Sequence, residues 1–429
     1  MRQLYFVFAL FFLSINQAYA SIRFVCERPE QSGLLNQVEA LIQQLSVAEF
    51  IEVSATEGDL QLNLMSPWHS VPTYRLHEQN ALKIGYEWVG LPLGTGEPAD
   101  VDTDAHAQQV YQQVATVSKR EIFLALAHPG RVLVFNACEV TPVLYELGVR
   151  QSIVAWSESM RLGWPDGRSA KWNAQYWNKG TPHEKASILP SFRDAFQRPD
   201  KYSLGCYTSA KLLVAQGVLD YFSRVLSDSE QTQAVVDRLY ADGDPLVNIE
   251  PPVLWAWESD FNKEDKATVA GKLLTIEPNA DPGSLVPGDW LYFINPHSPS
   301  NRKVGYEGSN AIYTGLNRFA SFYDPEGPRY SLYEKANDVY QWRHGVFNRP
   351  DDLDKEEALE EYQLKALLKT PREGGLLLPI RVVPLNFYNK QQPFELSPYM
   401  TQTLYELITT SSEPSGLSTV SFEDKDERG

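Results

Sequence analysis

Short apolar runs alternate with amphipathic stretches over the first third of the chain, and their periods separate strands from helices. Residues 22–26, 50–53 and 60–64 read as strands, and 34–45 as an amphipathic helix with one apolar stripe. Residues 110–126 read as a helix stopped by Pro129-Gly130. The run Arg131-Val132-Leu133-Val134-Phe135-Asn136-Ala137-Cys138-Glu139 then reads as a buried strand, 143–147 as a helix and 148–156 as the next strand. Strand, helix, strand in that order implies a parallel βαβ unit.

From 163 to 182 the period is lost in a stretch dense in Trp, Asn, Pro and Lys, including Trp164, Trp172, Trp177 and Pro182. Such a stretch is expected to bridge two domains, with its tryptophans packing between them. Residues 189–196 read as a short helix. In the next one, Leu212, Ala215, Leu219 and Phe222 recur at helical spacing and predict a single stripe facing a core. Residues 235–240 continue helical until Asp242-Gly243-Asp244-Pro245 breaks the pattern. Between the turn signals Pro287-Gly288 and Pro296, residues 289–296 read as a strand, and a polar loop follows over 301–308. Strands 310–314 and 318–323 should pair across the turn Gly315-Leu316-Asn317. Further on, 332–341 and 398–408 read as helices, 351–368 as a charged helix with a solvated acidic face, and 376–383 as a β-type run.

These elements predict an α/β N-terminal domain over 21–164, a linker over 165–182 and an α+β domain over 183–408. The core of the second domain is expected to be a helix headed by a cysteine, followed by a small antiparallel sheet. Residues 409–429 read as a disordered polar tail. At the other end, Arg2, an apolar run over 4–15 and Ala18-Tyr19-Ala20 have the form of a secretory signal peptide over 1–20, so an exported protein, periplasmic or secreted, is expected. No later stretch has the unbroken apolar length of a membrane span.

Composition narrows the partners. The formal charge of −17 argues against nucleic acid and anionic membrane surfaces. No His/Cys cluster has metal-ligand spacing and no Gly-rich phosphate loop is present, so no cofactor is implied. The three cysteines, Cys26, Cys138 and Cys206, make an odd set for an oxidising compartment. Pairing of Cys26 with Cys138 would leave Cys206 free; three unpaired buried cysteines are the alternative. Cys206 stands where an apolar helix begins, within Tyr202-Ser203-Leu204-Gly205-Cys206-Tyr207-Thr208-Ser209-Ala210. Unpaired N–H groups at a helix start bias a thiol towards thiolate, the form that attacks carbonyls. The plainer alternative is a small buried apolar residue.

Two resemblances bear on this. The Asn-Ala-Cys-Glu end of the 131–139 run, followed by a second apolar stretch, is similar to the cysteine-bearing strand of caspase-like peptidases. In those enzymes a preceding strand ends in His-Gly. Here His128 is followed by Pro129, and His69, His77 and His106 have no matching context. A more extensive resemblance covers about 202–323. A helix-heading cysteine before a small antiparallel sheet is the layout of papain-like and NlpC/P60-like thiol enzymes. Gly288-Asp289-Trp290-Leu291-Tyr292-Phe293-Ile294-Asn295-Pro296, then Gly308-Ser309-Asn310-Ala311-Ile312, resembles the spore-coat type of bacterial transglutaminase, a protein-glutamine γ-glutamyltransferase.

The resemblance implies that Cys206 is a nucleophile toward the γ-carboxamide of a protein glutamine, with a lysine amine or water accepting the acyl group. It also marks departures. The family's acidic residue before the cysteine corresponds to Gly205, its Gly-Glu-Asn glutamate to Ser309, and its later histidine falls near Ser321. Glu307, two positions before Ser309, and His297, just past the strand, are the candidate replacements for moving protons. An exposed loop carboxylate and a surface-turn histidine are the alternatives. Asn310 and the Cys206 N–H are the candidates for holding the oxyanion. Two other functions fit the same residues: a catalytically weakened binding or scaffold protein, favoured by the departures, and a cell-wall thiol peptidase or amidase.

Overall fold

Alternating buried and exposed residues in Ile22–Val25 build strand β1, and Leu34, Val38, Leu41 and Ile42 form the buried stripe of helix α1 (Leu34–Gln44). The computed structural model describes residues 22–28, 32–78, 85–93, 111–165, 168–178, 180–183, 188–240, 275–277, 281–320, 322–323, 330–347, 351–378 and 380–382. The expected signal peptide, the 398–408 helix, the tail, His106 and Ser321 lie outside these residues. Strands β2 (Ile51–Thr56) and β3 (Asp59–Leu64) form a hairpin whose second strand pairs antiparallel with β1.

Two sequence expectations fail here for physical reasons. Residues 110–126 are not one helix. Residues Gln112–Val117 form strand β5, antiparallel to β4 (Tyr86–Leu91), and helix α2 (Lys119–Leu126) starts afresh. The break is Ser118, whose side chain accepts the Glu121 N–H as an N-cap, behind a β-branched run suited to a strand. Further on, β6 (Leu133–Phe135) runs parallel to β1, in a four-stranded sheet ordered β2-β3-β1-β6. The expected strand over 148–156 is instead the middle of helix α3 (Thr141–Ser159). Its residues from Glu146 to Ser157 are buried on every side, so no polar face remains to reveal a helical period. Cys26 and Cys138 form a disulfide, which removes the thiol from the caspase-like stretch just as α3 removes its second strand.

After the two-residue strands β7 (Trp177–Asn178) and β8 (Thr181–Pro182) come helices α4 (Ile188–Gln197), α5 (Cys206–Asp220) and α6 (Ser229–Tyr240). The single stripe expected for α5 is an understatement. Residues Thr208 to Asp220 are all buried, including Lys211, Gln216 and Asp220, because α3, α4, α6 and the second sheet all pack on it. Gly217 permits the α3 crossing: a Cβ there would come within 2.5 Å of Ile153. Buried Asp220 is satisfied by Arg224, one turn on at 2.7 Å, and by the Ser152 hydroxyl at 3.2 Å.

The second sheet contains β9 (Thr275–Glu277), β10 (Trp290–Ile294), β11 (Gly308–Gly315), β12 (Arg318–Phe319) and β13 (Ile380–Val382), ordered β12-β11-β10-β13-β9. A one-turn helix α7 (Ser298–Asn301) lies between β10 and β11, and α8 (Leu332–Gln341) and α9 (Glu361–Leu367) follow β12. Both faces of this sheet are covered. Trp290 and Ile312 join the core around α5, while Leu291, Phe293, Ala311 and Tyr313 join the core under α8. That double burial explains why β10 and β11 read as near-continuous apolar runs.

A buried charge cluster ties the first sheet and α3 to β10. The Asp289 carboxylate accepts from Arg131 at 2.9 Å, from Arg150 at 2.8 Å and from the Val286 N–H at 2.8 Å. Arg150 also donates to Glu146 at 2.6 Å. Burial works against the Arg150 charge, but Glu146 and Asp289 more than offset it and raise its pKa.

Candidate active site

The thiol of Cys206 is free, and Cys206 is the first residue of α5. Gly205 precedes it as an N-cap with extended backbone and no side chain to bond the helix end. The first backbone bond of the helix is Ser209 N–H to Gly205 O, at 2.9 Å, so the N–H groups of Cys206, Tyr207 and Thr208 have no acceptor within the helix. A Cβ at Gly205 would meet nothing within 4 Å, so space is open before the helix start. The lead-in is clamped from the side: Gly163 N–H donates to Tyr202 O, Leu204 N–H to Gly163 O, and Lys171 and Ser203 exchange two bonds. The tryptophan-rich stretch thus frames the cysteine as well as filling a core through Trp177.

Asn310 on β11 supplies the polar neighbour. Its Nδ2 donates to Cys206 Sγ at 3.3 Å, while its Oδ1 accepts from Trp290 Nε1 at 2.8 Å. Because an indole N–H can only donate, it fixes which end of the amide faces the sulfur. Positive partial charge from this amide and from the helix N-terminus converges on the thiol. The geometry therefore brings together two of the expected features, Cys206 and Asn310.

Glu307 and His297 lie elsewhere. Glu307 is exposed, and its carboxylate accepts from the Gly305 N–H at 2.9 Å. His297 Nδ1 pairs with the Ser300 hydroxyl at 2.9 Å, in a turn organised by buried Asn295. Among the described residues, Asn310 is the one side chain hydrogen-bonded to the thiol. Strand alternation accounts for the position of Glu307. Asn310 and Ile312 face α5, so Ser309, Ala311 and Tyr313 face α8, and continuing that parity two residues back from Ser309 also leads away from the thiol.

Sequence reasoning missed Trp290 as the residue that orients Asn310, and it missed Ser209 and Tyr323. The Ser209 hydroxyl is buried, one turn beyond Cys206 on the same face of α5, and the Tyr323 hydroxyl is buried beside it. Burial first, and the neighbouring Cys206 second, push the Tyr323 phenol well above its ordinary pKa; Ser209 acts the other way. The spacing of Ser209 from Cys206 was visible in the sequence; the approach of Tyr323 was not. No group of three potential metal ligands occurs among the described residues.

A family model for protein-glutamine gamma-glutamyltransferase matches residues 98–323, which enclose Cys206, Asp289, Asn310 and Tyr323. The match covers just over half of the chain, and the chain belongs to that family. Among solved structures, a transglutaminase from Geobacillus stearothermophilus, without its C-terminal extension, is similar at 17% identity with a TM-score of 0.32. That alignment covers 60% of this chain and 98% of the other. No curated protein matches the chain.

Proposed function

We propose that this protein is an exported Cys-dependent acyltransferase, joining the γ-carboxamide of a protein glutamine to a primary amine such as a lysine side chain. The observation that carries this reading is the free Cys206 thiol at a helix N-terminus with the Asn310 amide donating to it at 3.3 Å. In the first half-reaction the sulfur attacks the carboxamide carbon. The C–N bond breaks, the thiol's proton leaves with the nitrogen as ammonia, and a thioester remains on Cys206. In the second, an amine nitrogen attacks the thioester, an amide forms and the sulfur regains a proton. Water in place of the amine gives deamidation. The Cys206 N–H and the Asn310 amide are placed to stabilise the negative charge that moves from sulfur to carbonyl oxygen.

Export is supported by the signal-like residues 1–20 and by the Cys26–Cys138 disulfide, a bond that persists in oxidising compartments. No helix among the described residues is long and apolar enough to cross a membrane. A second reading, a weakened family member serving as a binding protein, is favoured by one observation: the Glu307 and His297 side chains are bonded away from the thiol.

Incubation with a glutamine-bearing protein and a labelled primary amine distinguishes the readings. Amine incorporation with ammonia release, lost in Cys206→Ala, is the expected outcome. Ammonia release alone would mark an amidase. Neither product, with Cys206 inert to a thiol probe in the folded protein, would leave the binding role.

A further inference from the structure

We propose that Tyr323 is a catalytic hydrogen-bond donor at the Cys206 centre, oriented by Ser209, stabilising the negative charge that the reaction passes from sulfur to carbonyl oxygen. The proposal rests on Cys206 being the nucleophile.

Two independent constraints hold Tyr323 at this centre. On one side, β11 and β12 pair Tyr313 with Phe319, and Ala320 N–H donates to Ile312 O at 3.0 Å. The strand ends at Phe319, and beyond it Phe322 and Tyr323 both pack against the core around α5, where Cys206 also lies. On the other side, Leu162 N–H donates to Phe322 O at 2.9 Å, and the adjoining Gly163 is bonded to the Tyr202 and Leu204 backbone that leads into Cys206. Tyr323 therefore follows a residue bonded to the clamp that leads into Cys206. Its ring is fixed edge-on against Trp164, with centroids 5.2 Å apart. Trp164 is itself braced by the 301–307 loop, since a Cβ on Gly305 would come within 2.5 Å of the indole.

The polar ends of the two side chains supply the donors. The hydroxyls of both Tyr323 and Ser209 are buried, and neither makes a regular hydrogen bond to a described residue. Leaving a buried donor unsatisfied costs free energy. An oxyanion forming beside Cys206 would recover that cost in the transition state, which is where a catalytic donor needs to act. With its pKa raised by burial, the phenol stays protonated, so Tyr323 donates a hydrogen bond and does not serve as a base. As charge develops at the reacting atoms, the phenol would donate to it and the neighbouring Ser209 hydroxyl would donate to the phenol oxygen. No bond to Tyr323 forms or breaks, and its proton stays in place.

The test uses the full chain, comparing wild type with Tyr323→Phe and Ser209→Ala. Two readouts are taken: steady-state amine transfer, and the pH profile of iodoacetamide alkylation at Cys206, the free thiol. Tyr323→Phe should lower kcat by about a hundredfold with KM unchanged, as for removal of an oxyanion donor. It should also slow alkylation at neutral pH and move the profile to higher pH. Ser209→Ala should do the same more weakly, about threefold to tenfold, because it acts through the phenol. Wild-type kcat and an unmoved alkylation profile in Tyr323→Phe would overturn the proposal while leaving the acyltransferase reading intact. If wild type transfers no acyl group, that reading fails, and the alkylation profiles alone decide whether Tyr323 stabilises charge on sulfur. If Tyr323→Phe does not fold, the Ser209→Ala profile decides, and an unmoved one overturns the proposal.

Discussion

The Asp289 cluster and the Cys206 centre meet at the start of strand β10, yet they are built in opposite ways. Around Asp289, two arginines, a second carboxylate and a backbone N–H enclose one buried charge with short bonds. Around Cys206, one amide donates at 3.3 Å, and two enclosed hydroxyls remain without a regular bond to a described residue. The first region is a closed cluster of opposite charges that joins three parts of the fold. The second has buried hydroxyls to spare and opens before a helix end. Paired charges fit a permanent structural role, and spare donors fit a charge that appears only during reaction. The most specific stretch of the sequence resemblance, Gly288 to Pro296, thus marks the joint of the architecture more than it marks the chemistry.

The largest expected effect breaks the charge cluster. Asp289→Ala would remove the buried carboxylate that two buried guanidinium groups share, leaving Arg150 with Glu146, and should destabilise the protein by about 3–5 kcal/mol, read as a lower denaturation midpoint. An unchanged midpoint would show that the cluster does not hold the layers together.

The next prediction concerns Glu121 of α2, whose carboxyl accepts from the Leu316 N–H at 2.8 Å, at the β11–β12 turn. That turn needs Gly315, with φ of +86° and Glu121 Oε1 only 2.7 Å from where a Cβ would sit. Burial pushes Glu121 from 4.5 up to about 8, with the Leu316 bond acting in the other direction. Between those values the folded protein keeps a proton that the unfolded chain releases. This residue's contribution to stability is therefore full below pH about 4.5, falls by about 1.4 kcal/mol per pH unit as pH rises, and levels off above about 8. Denaturation of wild type and Glu121→Gln across that range checks it: the variant should lose this slope, and parallel curves would contradict the assignment.

The smallest effect is peripheral to both regions. Ser331 and Glu334 form a capping box at the start of α8, and Ser331→Ala should cost about 1 kcal/mol with no change in Cys206 reactivity. A change in alkylation rate would mean that the site is coupled to the far face of the sheet.

How much of this was legible depends on whether a residue's role is local. The start of α5 at Cys206, strands β10 and β11, the β11–β12 turn and helix α8 follow from turn residues, caps and apolar runs close in sequence. Helix α3 was illegible because its enclosed middle removes the polar face that a period needs. The α2 break was overlooked because one serine ends a strand and starts a helix without a Gly or Pro. At the site, Cys206 and Asn310 could be found from position and motif. Glu307 was chosen by sharing parity with Ser309, and that parity directs it away from α5. Tyr323 and Ser209 lie more than a hundred positions apart, and only the folded sheet brings them together.

The central claim is that Cys206 carries the acyl group, and acid-quenched intact-mass spectrometry with a glutamine donor and no amine tests it most directly. The account predicts a covalent species heavier by the donor less ammonia, located on Cys206, absent from Cys206→Ala and discharged on adding an amine. An adduct that survives in Cys206→Ala, or product formation by wild type with no species on Cys206 at any quench time, would contradict it.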